Sequence, residues 1–305
     1  INLLRELLNI FLLWYFLLMQ IGDKMVRSVL LSFLLYSNLL AIGGYRTSVV
    51  RSENGFIDYA NRVIVCRGTA DIEEKESGDG SLDVIGVNLK LSKAEARARA
   101  RENLVDLIKQ VNFDGRTVNE LMVSDRLVES RIESLVSSAF QQGEIEYLEE
   151  KQIAIALAVK MSGLAEILVD ANGYLKENIS QPAYLKTRSA VPKSERISGI
   201  VIDARNVYHI PAMVPKIFNE DYNLVYGPRH YTRSRSVNRG PIGYAHSMDD
   251  RNVIRRVGKT PMMVEVKTSS DDINLMVSNT DAERIRDADK KFGVLSDCKV
   301  LVLLQ

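Results

Sequence analysis

Two cysteines and three histidines are all that this 305-residue chain carries of the usual zinc ligands. Cys66 and Cys298 lie far apart and neither belongs to a CxxC pair. His209, His230 and His246 have no ligand spacing, so no metal is expected. Charge of one sign is also missing: 40 basic residues face 39 acidic ones, a net charge of +1. That gives no bulk attraction to nucleic acid, and only a local patch could supply one. GxSxG, HExxH and paired-carboxylate motifs are absent. Gly258-Lys259-Thr260 ends like a phosphate loop. A full loop needs glycine five residues before Gly258, where Val253 stands, and Pro261 follows where a helix should begin. No cofactor and no catalytic residue is therefore expected.

Long apolar runs are present at the start. "LLNIFLLWYFLLMQIG" and "SVLLSFLLYSNLLAIGG" are separated by a connector with Lys24 and Arg27. The second run has the layout of a secretory signal: Met25 as start, Arg27 as charged flank, Val29 to Leu40 as apolar region, cleavage after Gly43. Two short membrane helices with a cytoplasmic connector are the alternative. Both routes export residues 45–305. The expected location is the periplasm or cell envelope, free or anchored to the inner membrane. Membrane contact would come only from residues 1–44, if uncleaved. No cysteine near the apolar region offers a lipid-attachment site.

Beyond this segment the chain reads as two α+β domains, 55–170 and 197–305, joined by a proline- and lysine-containing linker at 171–196. In "NRVIVCRGTADI", Ile64, Cys66, Gly68, Ala70 and Ile72 share one face and Val65, Arg67, Thr69 and Asp71 the other, which predicts a half-buried strand. "LSKAEARARARENLVDLIKQV" follows. Ser92 and Glu95 make a capping box that opens a helix. Ala96, Ala100, Leu104, Leu107, Ile108 and Val111 form its buried stripe. Glu95 can pair with Arg99, and Arg99 with Glu102. A second helix is expected from Ser124 to Phe140, then a hairpin over "GEIEYLEEKQIAIALAVKM". There Ile153, Ile155, Leu157 and Val159 alternate with Ala154, Ala156 and Ala158, which predicts an alanine-rich helix lying on the small face. The order is strand, helix, helix, strand, strand, with a short helix over "SGLAEILVD".

The second domain reads as a mixed sheet with one or two helices. Strands are expected at "ISGIVIDARNV", on both sides of a turn at Asn219 to Asn223, at "PMMVEVKTS", at "INLMVS" and at "CKVLVLL". "DDRNVIRR" reads as a short helix, Thr280 with Glu283 as a capping box opening another, and "PRHYTRSRSVNRGPIGYAHS" as irregular and basic.

"VIVCRGTADI", "LSKAEARARARENLVDLI", "VSDRLVESRIESLV" and "IAIALAVKMSGL" in this order resemble the LPP lipoprotein family and the related flagellar FlgP and FlgT amino-terminal domains. "SGIVIDARNV", "PKIFNEDYNLVYG", "GYAHS" and "LMVSNTDAERI" resemble the tails of longer envelope proteins in that group. The resemblance implies an exported, non-enzymatic envelope protein that assembles with itself or with other envelope proteins, outer-membrane associated or flagellar in some members. The acylated cysteine of the lipoprotein members has no counterpart here.

Partner surfaces are sought among the clustered arginines: Arg97 and Arg101 on the helix, and Arg229, Arg233, Arg235 and Arg239 in the basic segment. A solvated face is the plain alternative for both. A small-ligand or enzymatic site, between the domains or in the second one, would gather Asp203, His209 and Arg205 or nearby basic groups. Cys66 and Cys298 read as small core hydrophobes, with a cross-domain disulfide as the alternative.

Overall fold

Alternating residues build the first sheet of this computed structural model, which describes residues 48–72, 82–171, 196–269 and 271–305. The apolar runs, most of the 73–83 loop and most of the 171–196 linker lie outside these residues. No helix among the described residues is long and apolar enough to cross a membrane.

β1 (Val49–Ser52), β2 (Gly55–Asp58), β3 (Val63–Asp71) and β6 (Gln152–Lys160) pair antiparallel in that order. β4 (Phe140–Gln141) and β5 (Glu146–Leu148) both pair with the far side of β6. Register sets the faces. Gly68 stands opposite Ile155, Cys66 opposite Leu157 and Ile64 opposite Val159. These residues therefore share one face, and Val65, Arg67 and Thr69 share the other with Ala158, Ala156 and Ala154.

Helix α1 (Leu82–Lys109) lies on the first of these faces. Its predicted stripe is buried throughout, from Ala96 to Val111. Two expectations about it are corrected. The helix meets the bulky face of β6, not its alanine face. Room comes from the neighbouring strand: a Cβ on Gly68 would lie 2.2 Å from the Ala96 carbonyl oxygen. The helix also begins ten residues before Ser92. Ser92 is buried inside it, its hydroxyl within 2.8 Å of the Asp71 carbonyl and 3.0 Å of the Asn88 carbonyl. A serine with helix already behind it bonds back to the i−4 carbonyl instead of capping. The Glu95–Arg99 pair forms at 2.6 Å, while Arg99 gives its other nitrogen to the Thr69 carbonyl.

The predicted second helix is two helices. α2 (Val118–Ser124) opens with a capping box between Thr117 and Glu120. Asp125 closes α2 and caps α3 (Arg126–Ser137), its carboxylate accepting from the Leu127 amide at 2.9 Å. Phe140 falls in β4 and is 42% exposed, so the helix stops short of the predicted end at Phe140. α4 (Met161–Ala171) follows β6 directly.

The second sheet has seven strands, in the order β10, β13, β7, β11, β12, β8, β9. These are β7 (Ile200–Asp203), β8 (Ile217–Asn219), β9 (Leu224–Tyr226), β10 (Ile242–Ala245), β11 (Met262–Ser269), β12 (Leu275–Val277) and β13 (Val300–Leu303). β10, β13, β7 and β11 run parallel, and β11–β12 and β8–β9 are antiparallel, so the fold is α+β with a mixed second sheet. The basic segment is ordered: α5 (Arg233–Arg239) and β10 both come from it. α6 (Arg251–Val257) covers one face through Val253 and Val257, which pack with Val201, Leu301 and Leu303. α7 (Asn279–Phe292) is capped by Ser278, not by Thr280. Ser278 accepts from the Asp281 amide at 3.0 Å, and the helix ends at Gly293 in the left-handed region.

The two sheets share one core. Its buried residues run without a break from Ile57, Leu104 and Ile155 to Tyr244, Ile202 and Val302, and Arg46–Gln305 forms one compact unit. The Tyr59 and Tyr244 rings meet edge to face at 6.1 Å. The Met213 and Val214 amides donate to the Asn112 and Phe113 carbonyls at 2.8 and 2.6 Å. Cys66 and Cys298 are buried free thiols, which discards the disulfide. Burial pushes the Cys66 thiol up to about 12, so it stays protonated and unreactive.

Candidate functional site

The Asp203, Arg205 and His209 set does not converge. Asp203 and Arg205 form a local bidentate pair at 2.9 and 2.6 Å where β7 ends, and that pair holds the Asp203 carboxyl below its ordinary range. His209 is buried, stacked on Tyr244 at 5.8 Å, and neither ring nitrogen has a hydrogen-bond partner among the described residues. Among the described residues no three His, Cys, Asp or Glu side chains are placed to hold a metal.

Burial pushes His209 down to about 4 from 6.5, against a weaker upward pull from Asp271. Its neutral form is the folded one. Above about pH 6.5 neither state takes up the proton; between 6.5 and 4 only the unfolded chain does. The contribution of His209 to stability is therefore full above pH 6.5 and is lost as the pH drops toward 4, by about 3 kcal/mol in all. His209→Phe keeps the ring on Tyr244 and removes the titration. Urea midpoints of variant and parent should agree best near pH 7 and separate progressively toward pH 4, with the variant the more stable.

The six arginines singled out by sequence separate in space. Arg97 donates to Gln141 at 3.2 Å. Arg101 is exposed on α1. Arg229 donates to the Leu224 carbonyl at 3.2 Å. Arg233 pairs with Glu166 of α4 at 3.4 Å, and Arg235 with Asp297 at 3.4 Å. Arg239 lines a concave site.

That site is a cleft of about 640 Å³ between the end of the first sheet and the α5–α6 side of the second. Its charged lining is Arg62, Lys160, Arg239, Arg255 and Arg256, with no acidic residue. Among the described residues none of the five forms an ion pair. Asn61, Asn238, Asn252 and Ser162 supply neutral polar groups, and Val63 and Phe140 an apolar wall.

Three of the guanidiniums are built in by helix ends. The last carbonyls of a helix have no partner within it and carry partial negative charge, so cations settle there. α5 ends at Arg239. Arg62, from the turn between β2 and β3, donates to the Val237 and Asn238 carbonyls, both at 2.9 Å. Arg256 donates to the Arg239 and Gly240 carbonyls at 2.6 and 2.7 Å, and through Nε to Val300 at 2.9 Å. Arg239 returns the favour to α6, donating to the Arg255 and Arg256 carbonyls at 3.1 and 2.6 Å. Gly243 leaves the space: a Cβ there would lie 2.7 Å from Arg256 Cδ. Burial pushes Arg256 down to about 10, and its neighbours Arg239 and Arg62 push the same way. Burial also lowers Arg62. The partners are neutral carbonyls, so the cleft keeps excess positive charge. Lys160 and Arg255, both exposed, carry that charge to its rim.

Sequence reading missed Arg62, Lys160, Arg255 and Arg256. The nearest signal was "NVIRRVG", where Arg256 falls on the same helical face as Val253 and Val257.

Residues 199–305 match the family model described as Treponema pallidum Tp0624, second domain. This is about a third of the chain and coincides with the second sheet and its helices. No curated protein matches any part of the chain.

Proposed function

We propose that this chain is an exported envelope protein that works by binding rather than by turnover, and that the cleft between its sheets holds an anionic group of its partner. The observation that carries this reading is the all-cationic charge of the lining: five basic side chains, three of them anchored on backbone carbonyls, face one concavity with no carboxylate. Such a cluster lowers its own repulsion by taking up an anion, and the low-dielectric walls strengthen that attraction. Export is supported by the arrangement of Met25, Arg27 and the apolar run to Leu40, and by the likeness to exported families noted above.

Arg255→Glu tests it. Arg255 is exposed, and its side chain holds nothing in place among the described residues, so stability should change by no more than about 0.5 kcal/mol. Binding of a polyanion such as polyphosphate, followed by fluorescence anisotropy at low salt, should weaken about tenfold, with a shallower dependence on salt. Equal binding by parent and variant would remove the cleft from consideration. Mass spectrometry of the mature amino terminus decides export separately: a terminus near Gly44 supports cleavage, and one upstream of Met25 defeats it.

A further inference from the structure

We infer that the anion taken by the cleft belongs to an acidic saccharide, a short run of sugar rings bearing carboxylate or sulfate groups. This rests on the anion-binding reading and adds the neutral half of the lining to it. A bare inorganic anion needs only donors and charge. This cleft offers more. Phe140 stands on its wall, 42% exposed, as the first residue of a two-residue strand. A flat apolar ring in that position covers the C–H face of a sugar, which is apolar while its rim is polar. Three carboxamides and a hydroxyl share the concavity with it. A carboxamide presents a donor and an acceptor side by side, as a hydroxyl pair on a sugar does. The carboxamide of Asn252 and the hydroxyl of Ser162 have no hydrogen-bond partner among the described residues, although both line the site.

Size agrees. About 640 Å³ lies within the roughly 300–1,000 Å³ of pockets that take ligands of several rings, and exceeds what one phosphate needs. A single-stranded nucleic acid would also bring charge and rings. Its readers set several aromatic platforms along a groove, whereas Phe140 is the one aromatic residue lining this cleft. The saccharide therefore fits the lining better. Arg255 and Lys160 at the rim meet its acidic groups, the carboxamides meet its hydroxyls, and Phe140 meets one ring face.

The test titrates the full chain by calorimetry with four probes at equal ionic strength: trigalacturonate, its methyl ester, inorganic phosphate and a single-stranded DNA hexamer. Trigalacturonate should bind at least about tenfold more tightly than any of the other three. Phe140→Ala should weaken trigalacturonate about tenfold and leave phosphate unchanged, while Phe140→Tyr should retain the parent affinity. Because Phe140 is exposed, the alanine variant should keep the parent's circular dichroism and melting midpoint, which shows that any loss is local. If phosphate or DNA binds as tightly as trigalacturonate, or if Phe140→Ala has no effect on it, the saccharide assignment falls and the anion site stands. If none of the anions binds at low salt, both fall.

Discussion

Gly68→Ala should destabilise the protein by at least about 3 kcal/mol, and the soluble yield should fall with it. The added Cβ would lie 2.2 Å from the Ala96 carbonyl oxygen and 2.3 Å from the Ala100 amide nitrogen. Both are backbone atoms of α1, so no rotamer change relieves the clash. The helix would have to withdraw from the sheet along its length, and the buried stripe from Ala96 to Ile108 would lose contact with β3 and β6. Overpacking between main chains is met by a rigid shift, which opens cavities elsewhere. Gly163→Ala is the matching control. Its Cβ would meet only the end of the Leu135 side chain, at 2.8 Å, and that end can rotate away. Alanine within α4 also gains up to about 1 kcal/mol of helix propensity over glycine. Urea denaturation followed by circular dichroism should therefore show a large loss for Gly68→Ala and a change within about 1 kcal/mol for Gly163→Ala. Equal midpoints would mean that α1 does not lie against Gly68.

Arg256→Leu comes next, at about 3–5 kcal/mol. The side chain is 9% exposed, and its guanidinium satisfies the Arg239, Gly240 and Val300 carbonyls at once. Leucine fills part of the volume and leaves three acceptors without this donor. Arg256→Lys should recover less than half of the loss, since an ammonium on a thin stem cannot span carbonyls that a planar fork reaches together. The consequence extends to the cleft. Arg239 donates to the carbonyl of Arg256 and accepts from its side chain, so the lysine variant should bind polyphosphate more weakly even where it remains folded. A lysine variant with parent stability and parent affinity would show that the carbonyl lattice is not what holds the cleft.

Elements governed by local periodicity were legible. Ile64 to Ala70 alternate in a strand because one face of β3 is buried, and Ala96 to Ile108 recur at helical spacing because one stripe of α1 is buried. Errors fell where a local pattern met a tertiary constraint. S-x-x-E at Ser92 is a capping box by spelling, but helix from Leu82 already surrounds it. The alanines of β6 invite a close helix, yet Gly68 on the neighbouring strand opens more room on the opposite face. Thr280 was passed over as a cap because Ser278, two residues earlier, bonds the Asp281 amide.

The cleft was illegible for a different reason. Arg62, Lys160, Arg239 and Arg256 are distant in sequence, and nothing in composition marks them: net charge is +1, and denser arginine runs lie elsewhere. The run from Arg229 to Arg239 looked like one surface, but helix geometry and separate acidic partners divide it.

Sequence by itself determined the secondary-structure types, the α+β class and most buried positions, because burial on one face imposes a period that short stretches display. Tertiary structure alone decided which arginines gather, since that depends on where the carbonyl ends of α5 and α6 meet each other and the turn before β3. Two helix termini without internal partners, brought together by a shared core, draw guanidiniums from three separate segments into one place.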